Sequence, residues 1–210
     1  IRDAQESRGL GDVYKRQELL LPKIDEGIKH SLTTKSSSLY TQSTNGLSIL
    51  CALLRPAPKI LILGAGNDAV PLVNFCKELG WSVSIQDHRP AYIESVDFGI
   101  NVQAYNYAVN ALADNLDCHI FDAVIVMTHH FEHDKDYLRI IAETDTPYVG
   151  LLGPKERKNK ILFELGKVGQ SLKGRIHGPA GLDIGGRGAS AIALSIVSQI
   201  QQELVARKII

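Results

Sequence analysis

The sequence predicts an α/β fold: a Rossmann-like, doubly wound and mainly parallel sheet with flanking helices, preceded by a truncated N-terminal segment. Two observations carry this prediction. Continuous apolar runs at residues 60–63, 121–127 and 148–152 are typical of strands that are buried on both faces. Segments with helical spacing separate these runs, and strands that alternate with helices favour a parallel sheet.

The elements follow in a regular order from Lys59 onward. Helical spacing predicts helices between the strands and after the last one, where apolar residues repeat from Ile192 to Leu204. Pro154 is predicted as the first residue of its helix, a position at which proline is tolerated. Weak signals upstream predict strands near 39–40 and 47–50 and a loop over 33–38. In order, the predicted elements are strand 60–63, helix 70–79, strand 81–86, strand 101–107, helix 109–116, strand 121–127, helix 132–143 and strand 148–152, then the helices that begin at Pro154 and near Ile192.

Composition sets limits on the class of protein. The chain has 210 residues, 44% of them hydrophobic, which suits one globular domain and part of a neighbour. Its 23 basic and 23 acidic residues balance, so nothing overall attracts nucleic acid or an anionic membrane. The sequence has no apolar run of bilayer-spanning length, no signal-peptide pattern, and no CxxC pair among Cys51, Cys76 and Cys118. We therefore expect a cytoplasmic protein with reduced cysteines.

Three regions are predicted along the chain. Residues 1–17 contain the segment Gly9-Leu-Gly-Asp-Val-Tyr-Lys-Arg-Gln17, which resembles translated sequencing-adapter DNA, so we treat them as non-native. Because the chain does not begin with methionine, we expect the native protein to extend further upstream. Residues 18–46 are polar and rich in Ser and Thr, and residues 47–54 are apolar enough for one strand. We predict that residues 18–54 are the remnant of an earlier domain and that residues 55–210 form the Rossmann-like domain.

The segment Gly64-Ala-Gly-Asn-Asp-Ala69 matches the G-x-G-x-x-A form of the dinucleotide-binding turn. Gly64 would allow the tight turn from strand to helix, and Gly66 would let the backbone approach a phosphate. The helix start that includes Asn67 would present free N–H groups to an anion. Strand, turn, helix and second strand occur in the required order, which predicts a Rossmann-type ligand site.

Charged residues around this turn affect which ligand it could bind. Asp87 lies 23 positions after Gly64, at the end of the second strand, where a carboxylate would accept hydrogen bonds from a ribose. Arg89 would either meet an additional phosphate, as in NADP recognition, or be a solvated surface arginine. Asp68 would place a negative charge beside any bound phosphate, which counts against tight NAD binding.

Polar residues follow the strand over 121–127, at the sheet edge where ligands of open α/β sheets bind. Thr128 and His129 are therefore candidate ligand contacts. A metal site is conceivable because His129 and His133 are four apart and Glu132 and Asp134 are close. Without an H-E-x-x-H pattern or a third distant ligand, helix capping and surface roles are favoured, and we predict no metal.

A second strand-to-helix junction carries an excess of positive charge. Gly153 is followed by Lys155, Arg157, Lys158 and Lys160 near a helix start. Cations there are unfavourable with the helix dipole unless an anion is bound, which favours a phosphate or carboxylate ligand. The alternative is a solvated helix face.

Residues 176–186, Ile-His-Gly-Pro-Ala-Gly-Leu-Asp-Ile-Gly-Gly, combine an imidazole, a carboxylate and several glycines before the last helix. Glycine loses much backbone freedom on folding, so such a stretch is costly to order. One interpretation is a tight loop that holds His177 and Asp183 close to a ligand. The other is a helix-entry turn in which Asp183 caps backbone N–H groups.

Taken together, four blocks make the chain resemble the Rossmann domain of the XdhC/CoxI family, accessory proteins of xanthine dehydrogenase and related molybdenum hydroxylases. The resemblance covers about residues 47–205, and its last block is the most specific. The blocks are Ile60–Gly66, Val126–His129 with Glu132 and Asp134, Tyr148–Gly153 with the basic run after it, and Ile176–Gly185 leading into Ala193–Ile196.

The resemblance implies a maturation factor that is not itself an enzyme. Such proteins are thought to bind molybdenum cofactor, to assist its sulfuration with a cysteine desulfurase and to deliver it to the apo-hydroxylase. Helix starts at Gly66 and Pro154 would hold the molybdopterin phosphate, and Asp183 or Asp87 would pair with pterin N–H donors. Residues 18–54 would be what remains of the family's N-terminal domain.

The chain departs from the family pattern in two places. None of its three cysteines clearly matches the motif cysteine of the N-terminal domain, and Asn67-Asp68 replaces the His-Val/Ile often found after the second glycine. Two alternatives therefore stay open. One is an NAD(P)-binding oxidoreductase, supported by Asp87 and Arg89 although no Tyr-x-x-x-Lys pair is present. The other is a nucleotide-sensing regulatory protein. A homodimer is expected only because twofold dimers are common.

Overall fold

The computed structural model describes residues 24–26, 28–30, 32–33, 38–42, 47–51, 54–99 and 101–210. The chain divides into two compact units between Arg55 and Pro56. In the first unit, the described residues between 24 and 33 are helical, and β1 (Ser38–Gln42) pairs antiparallel with β2 (Leu47–Cys51). Both strands were predicted, whereas most of the loop predicted over 33–38 lies outside the described residues.

The second unit is built on a six-stranded sheet in which every neighbouring pair is parallel. The strand order is β5-β4-β3-β6-β7-β8, so the chain winds outward from β3 first in one direction and then in the other. This is the doubly wound, Rossmann-like sheet that the sequence predicts. The strands are β3 (Lys59–Leu63), β4 (Ser82–Gln86), β5 (Val102–Tyr105), β6 (Ala123–Val126), β7 (Tyr148–Leu151) and β8 (Ile176–His177).

Helices cover both faces of this sheet. Pro154 precedes its helix with an extended backbone and is not the first helical residue, so that helix begins one residue later than predicted. Within the described residues, no helix is long and apolar enough to cross a membrane. The helices are α1 (Ala69–Glu78), α2 (Pro90–Glu94), α3 (Leu112–Asn115), α4 (Phe131–Ala142), α5 (Lys155–Leu165), α6 (Lys167–Gln170) and α7 (Ala189–Ala206), with 3₁₀ turns at Val109–Ala111 and Cys118–Ile120.

The alternation of side chains along the central strands explains why β3, β6 and β7 are mostly apolar. In β3, Ile60 and Ile62 point into the core layer that α1 and α7 cover. Leu61 and Leu63 point into the opposite layer, which α4 and α5 cover. Since helices bury both faces of the sheet, a polar side chain on its strands needs a partner there, and Gln86 of β4 donates to the carbonyl of Tyr107 at 2.6 Å.

The turn after β3 requires glycine at its first position. Gly64 has a φ of +119°, and a Cβ there would lie 2.6 Å from the carbonyl oxygen of Met127. Its N–H donates to the carbonyl of Gln86 at 2.8 Å, which ties the turn to the end of β4. Both backbone conformation and close packing therefore exclude a side chain.

We expect Gly64→Ala to lower the free energy of unfolding by about 3 kcal/mol, since strain and a backbone clash add together. Gly80, with a φ of +72° and open space around it, is the matched control, and Gly80→Ala should cost only about 1 kcal/mol. Urea unfolding followed by circular dichroism measures both, and equal losses would contradict the packing argument.

Candidate ligand-binding cleft

The reversal of strand order at β3 opens a crevice beyond the carboxyl ends of β3, β4 and β6. Ligands of open α/β sheets bind at such a switch point. The cleft there has a volume of about 710 Å³. Its lining comes from the turn after β3, the loop and short helix after β4, and the loop after β6: Ala65, Gly66, Asn67, Asp68, Arg89, Ala91, Tyr92, Ser95, Met127, Thr128 and His129.

The glycine turn presents free donors to this cleft. The N–H groups of Gly66 and Asn67 donate to no acceptor within the described residues. A Cβ on Gly66 would meet only the flexible carboxylate of Asp68, at 2.7 Å from Oδ1. The ten-residue helix α1 begins just after these groups, at Ala69, so its dipole adds to their attraction for an anion.

Asp87 is buried directly beneath this turn, 1% exposed. Its Oδ2 accepts from the Ala65 N–H at 2.8 Å and from Arg89 Nη2 at 2.8 Å. Its Oδ1 accepts from the backbone N–H of Arg89 at 3.0 Å and from Arg89 Nε at 2.9 Å. Burial alone would raise the pKa of Asp87, but the hydrogen bonds from Arg89 and Ala65 outweigh it and hold the pKa below its usual value. The carboxylate thus locks the turn to the end of β4.

Arg89 reaches from this carboxylate into the cleft. Its guanidinium carbon lies 3.6 Å from the centre of the Tyr92 ring, a cation–π contact formed by two residues three apart at the start of α2. The side chain of Arg89 is 37% exposed, while that of Asp87 is 1% exposed. The cleft surface therefore presents the guanidinium and not the carboxylate.

On the other side of the cleft, Asp68 and His129 bridge two loops. His129 Nε2 lies 2.7 Å from Asp68 Oδ2. His129 has a φ of +60°, a backbone conformation uncommon for residues other than glycine, and its side chain is 61% exposed. Strained backbone of this kind clusters at ligand sites.

A second buried carboxylate fixes the loop after β6. Asp134, in the first turn of α4, is fully buried. Its Oδ1 accepts from the hydroxyl of Thr128 at 2.5 Å, and its Oδ2 accepts from Arg157 Nε at 3.0 Å and Nη2 at 2.5 Å. Arg157 is therefore held by this carboxylate and is not the free cation that the basic run suggested.

Three imidazoles pack together where β4 and β6 end. The ring centres of His88 and His133 are 4.2 Å apart, and those of His130 and His133 are 4.3 Å apart. Nδ1 of His88 and of His133 are buried without a hydrogen-bond partner among the described residues. Burial, and next the nearby His133, lower the pKa of His88. No group of three or more metal-ligating side chains is placed to hold an ion within the described residues.

The remaining predicted residues lie outside the cleft lining. Gly153 has a φ of +128° and leaves room for the side chain of Arg157, and Lys155 is exposed at the start of α5. Asp183 is exposed in the loop before α7, whose N-cap is Gly188, so Asp183 does not cap that helix.

His177 lies at the far edge of the sheet, in β8, and not in a loop as the glycine-rich stretch suggested. Its ring stacks on Tyr148 at 4.7 Å between centres. The Tyr148 hydroxyl donates to Gln199 Oε1 at 2.8 Å, and the N–H of Gly181 donates to the same oxygen at 2.8 Å. Burial lowers the pKa of His177, although Glu203 acts in the opposite direction. These contacts hold the segment after β8 against α7.

The structure thus brings one set of predicted residues together and leaves another apart. Five of the predicted residues line the cleft: Gly66, Asn67, Arg89, Thr128 and His129. Two more, Gly64 and Asp87, support it from beneath. The other five do not line it: Gly153, Lys155, Arg157, His177 and Asp183. Sequence reasoning missed the partners Tyr92 and Ala65 and the imidazole cluster. A signal for Tyr92 was available, because it lies one helical turn after Arg89.

A doubly wound parallel sheet with a glycine turn after its first strand and a crevice at the strand-order reversal defines a Rossmann-like domain. The chain belongs to the XdhC family, because the model of the XdhC Rossmann domain matches residues 60–200. The resemblance stated from the sequence is confirmed.

Individual relatives agree with this assignment. The chain is 30% identical over 177 residues to a Bacillus subtilis (strain 168) protein named as a probable xanthine dehydrogenase subunit, covering 84% of this chain and 51% of that protein. It is 23% identical over 163 residues to the uncharacterized protein YqeB of Escherichia coli (strain K12), covering 74% of this chain and 29% of that protein. A crystal structure described as a xanthine dehydrogenase from Bacillus halodurans is similar with a TM-score of 0.65 and 28% identity, over 80% of this chain and 50% of that one. The chain spans about half the length of the Bacillus relatives.

We expect Asp134→Asn to lower the free energy of unfolding by about 3 kcal/mol, because it removes the buried negative charge that pairs with Arg157 and one of the two oxygens that accept from Thr128 and Arg157. Asp136→Asn on the same helix is the matched control. Its partner Arg139 is half exposed, so its loss should cost less than about 1 kcal/mol. Chemical unfolding of both variants tests this, and equal costs would contradict a structural role for Asp134.

We expect the melting temperature to fall as the pH is lowered from about 7 to about 5. The folded state lowers the pKa of His88 and His177 below the unfolded value of about 6.5, so the unfolded chain binds protons more readily. This stability is complete above about pH 6.5 and is lost as the pH falls toward the folded pKa. His88→Gln should reduce the fall, and His119→Gln, an exposed control, should not. If the melting temperature of His88→Gln falls by as much as that of the native protein, His88 does not contribute to the pH dependence.

Proposed function

We propose that this chain is part of an accessory protein of a xanthine dehydrogenase-type molybdenum hydroxylase, and that its Rossmann-like domain binds molybdenum cofactor for sulfuration and insertion. Membership of the XdhC family suggests this client class. The observation that carries the proposal is the open cleft, in which the free N–H groups of Gly66 and Asn67 lie on the same lining as the cationic Arg89.

The chemistry of the cleft fits the organic part of this cofactor. Molybdopterin carries a phosphate and a polar, planar pterin. The N–H groups of the turn and the guanidinium of Arg89 are donors for the phosphate, and Tyr92 and Thr128 offer an aromatic face and a hydroxyl beside them. The bound cofactor would supply the molybdenum centre that the client enzyme uses. The residues of this chain would hold and orient the cofactor, so we propose no turnover by this chain alone.

Two of the cysteines are unsuited to carry sulfur to the cofactor. Cys76 and Cys118 are buried, and burial raises the pKa of Cys76 to about 12 and that of Cys118 to about 11. Thiols in this state are poor nucleophiles, because the reactive species is the thiolate. We therefore propose neither of these two thiols as a sulfur carrier, and we propose a cysteine desulfurase together with the client hydroxylase as the partners.

The second candidate is NAD(P) binding, either in an oxidoreductase or in a nucleotide sensor. One observation favours it: the glycine turn follows a central strand of a Rossmann-like sheet, and two of its residues with free N–H groups, Gly66 and Asn67, line the cleft. In an oxidoreductase, the pair of Asp68 and His129 at the cleft would be the candidate for proton transfer.

Calorimetric titration of the purified protein with molybdenum cofactor, NAD and NADP in separate experiments tests both candidates. Micromolar or tighter binding of molybdenum cofactor supports the accessory role. Binding of NAD or NADP alone would replace it with the second candidate, and the next step would be a search for turnover with alcohol or carbonyl substrates.

We expect Gly66→Val to abolish binding of whichever ligand these titrations identify, while the melting temperature changes little. A side chain would fill the space over the turn, yet at its Cβ it would meet only the movable carboxylate of Asp68. Unchanged affinity would exclude the turn from the site. Asp183→Ala is the companion variant: because Asp183 is exposed and outside the cleft lining, it should bind normally. Weaker binding by Asp183→Ala would add the loop before α7 to the site.

A further inference from the structure

We propose that the outer face of α5 and α6 is a docking surface for a partner protein, and that Phe163 is its anchor. A partner that fits this surface presents an apolar pocket with an acidic rim, and we assign that pocket to the client hydroxylase. The inference rests on the proposed function for the identity of the client. It concerns a face of the domain that lies outside the lining of the cleft.

The first observation is an aromatic ring that projects from α5 into solvent. Phe163 is 86% exposed, and no large hydrophobic residue described within 56–210 is more exposed. The core-facing residues Ile161 and Leu165 are each two positions away, so Phe163 lies on roughly the opposite side of the helix. It belongs to neither layer of the core. Aromatic residues are enriched at the centres of protein interfaces, which gives this ring a role that the fold itself does not.

The second observation is that the segment around this ring is basic, although the chain as a whole is balanced. Residues 155–173 contain six basic and two acidic residues, against 23 of each in the full sequence. One of the two acids, Glu164, is already paired with Lys135 of α4. Like charges on one face repel each other and complement an acidic surface. Four lysines of the segment are exposed and form no ion pair with a described residue: Lys155, Lys160, Lys167 and Lys173.

The shape of this face favours a protein over an anionic membrane. A helix that lies on a membrane buries a wide apolar face in the lipid. The apolar face of α5 is buried in the core of the domain instead, and the exposed Glu156 lies two helical turns before Phe163 on the same side. One ring among charged and polar groups is the pattern of a protein interface, in which an anchor fills a pocket and a polar rim excludes water.

The position of α5 relative to the cleft indicates the client as this partner. Arg157, in the first turn of α5, binds the buried carboxylate of Asp134. The same carboxylate accepts from Thr128, which lies on the cleft lining. The start of α5 is therefore held beside one wall of the cleft, and a protein docked along α5 would lie next to it. A client that receives the whole cofactor has to bring its own site to this position.

Binding of the purified protein to the client hydroxylase of the same organism, prepared without its cofactor, tests the surface directly. We expect Phe163→Ala to weaken this binding by about tenfold or more, the effect of losing one interface anchor. Its melting temperature should not fall, since the ring is exposed and alanine is the best helix former. Leu194→Ala is the matched control and should bind normally, because Leu194 is 45% exposed on α7, which covers the other face of the sheet. Equal affinity of Phe163→Ala and the native protein would overturn the inference and leave the cofactor-binding function intact.

Charge variants test the acidic character of the partner separately. The double variant Lys155→Gln with Lys167→Gln should slow association with the hydroxylase by about threefold or more at low salt, and the difference should shrink at high salt. Glu156→Gln removes an acid from the same face and should act in the opposite direction. An association rate that the double variant leaves unchanged at low salt would overturn the inference.

Other occupants of this surface give different results, and each of these would overturn the inference. A second copy would appear as self-association in sedimentation that Phe163→Ala abolishes. A cysteine desulfurase would bind in place of the hydroxylase with the same dependence on Phe163, and a membrane would appear as binding to phosphatidylglycerol vesicles that Phe163→Ala loses. If the native protein does not bind the hydroxylase, the docking surface is excluded, while the separate titration with molybdenum cofactor decides whether the ligand-binding proposal stands.

Discussion

The cleft depends on one buried carboxylate. Asp87 accepts four hydrogen bonds, which join the turn after β3 to the end of β4 and fix the direction of Arg89. An ionised carboxylate at 1% exposure is stable only if hydrogen bonds replace the water it has lost. The hydrogen bonds that meet this requirement also shape the turn, because one of them comes from Ala65, between its two glycines. Local stability and the geometry of the cleft thus have the same physical cause.

A second buried carboxylate, Asp134 in the first turn of α4, repeats this arrangement for the loop after β6. Asp134 binds the hydroxyl of Thr128 at the end of β6 and the guanidinium of Arg157 from α5. The two arginines bind their buried carboxylates through the same groups, Nε and Nη2, but differ in where they lie. The side chain of Arg157 is 21% exposed and outside the cleft lining, whereas that of Arg89 is 37% exposed on it. A positive charge in the sequence therefore predicts an anion site only when the fold places its side chain at a cleft.

Features that leave a local signal in the sequence could be predicted, whereas features that depend on contacts between distant residues could not. The runs at 60–63, 121–127 and 148–152 predicted their strands because burial on both faces leaves a local signal. The strand β8 has only two residues at the sheet edge, and such a segment has no periodicity to detect. The pair of Asp68 and His129 spans 61 positions, so it follows from strand order and not from local pattern. The set of donors that bind the carboxylate oxygens of Asp87 likewise depends on the shape of the folded turn.

The two walls of the cleft differ in how readily they can adjust to a ligand. The wall built on Asp87, Arg89 and Tyr92 is fixed by buried hydrogen bonds and stacking. The wall of Asp68 and His129 is exposed, and the Asp68 carboxylate lies close over Gly66, where an incoming anion would approach the turn. An anion there would have to displace the Asp68 carboxylate from His129, so the net gain in binding free energy on that side is small. Discrimination between ligands then depends on the fixed wall, because its groups are already oriented before a ligand binds.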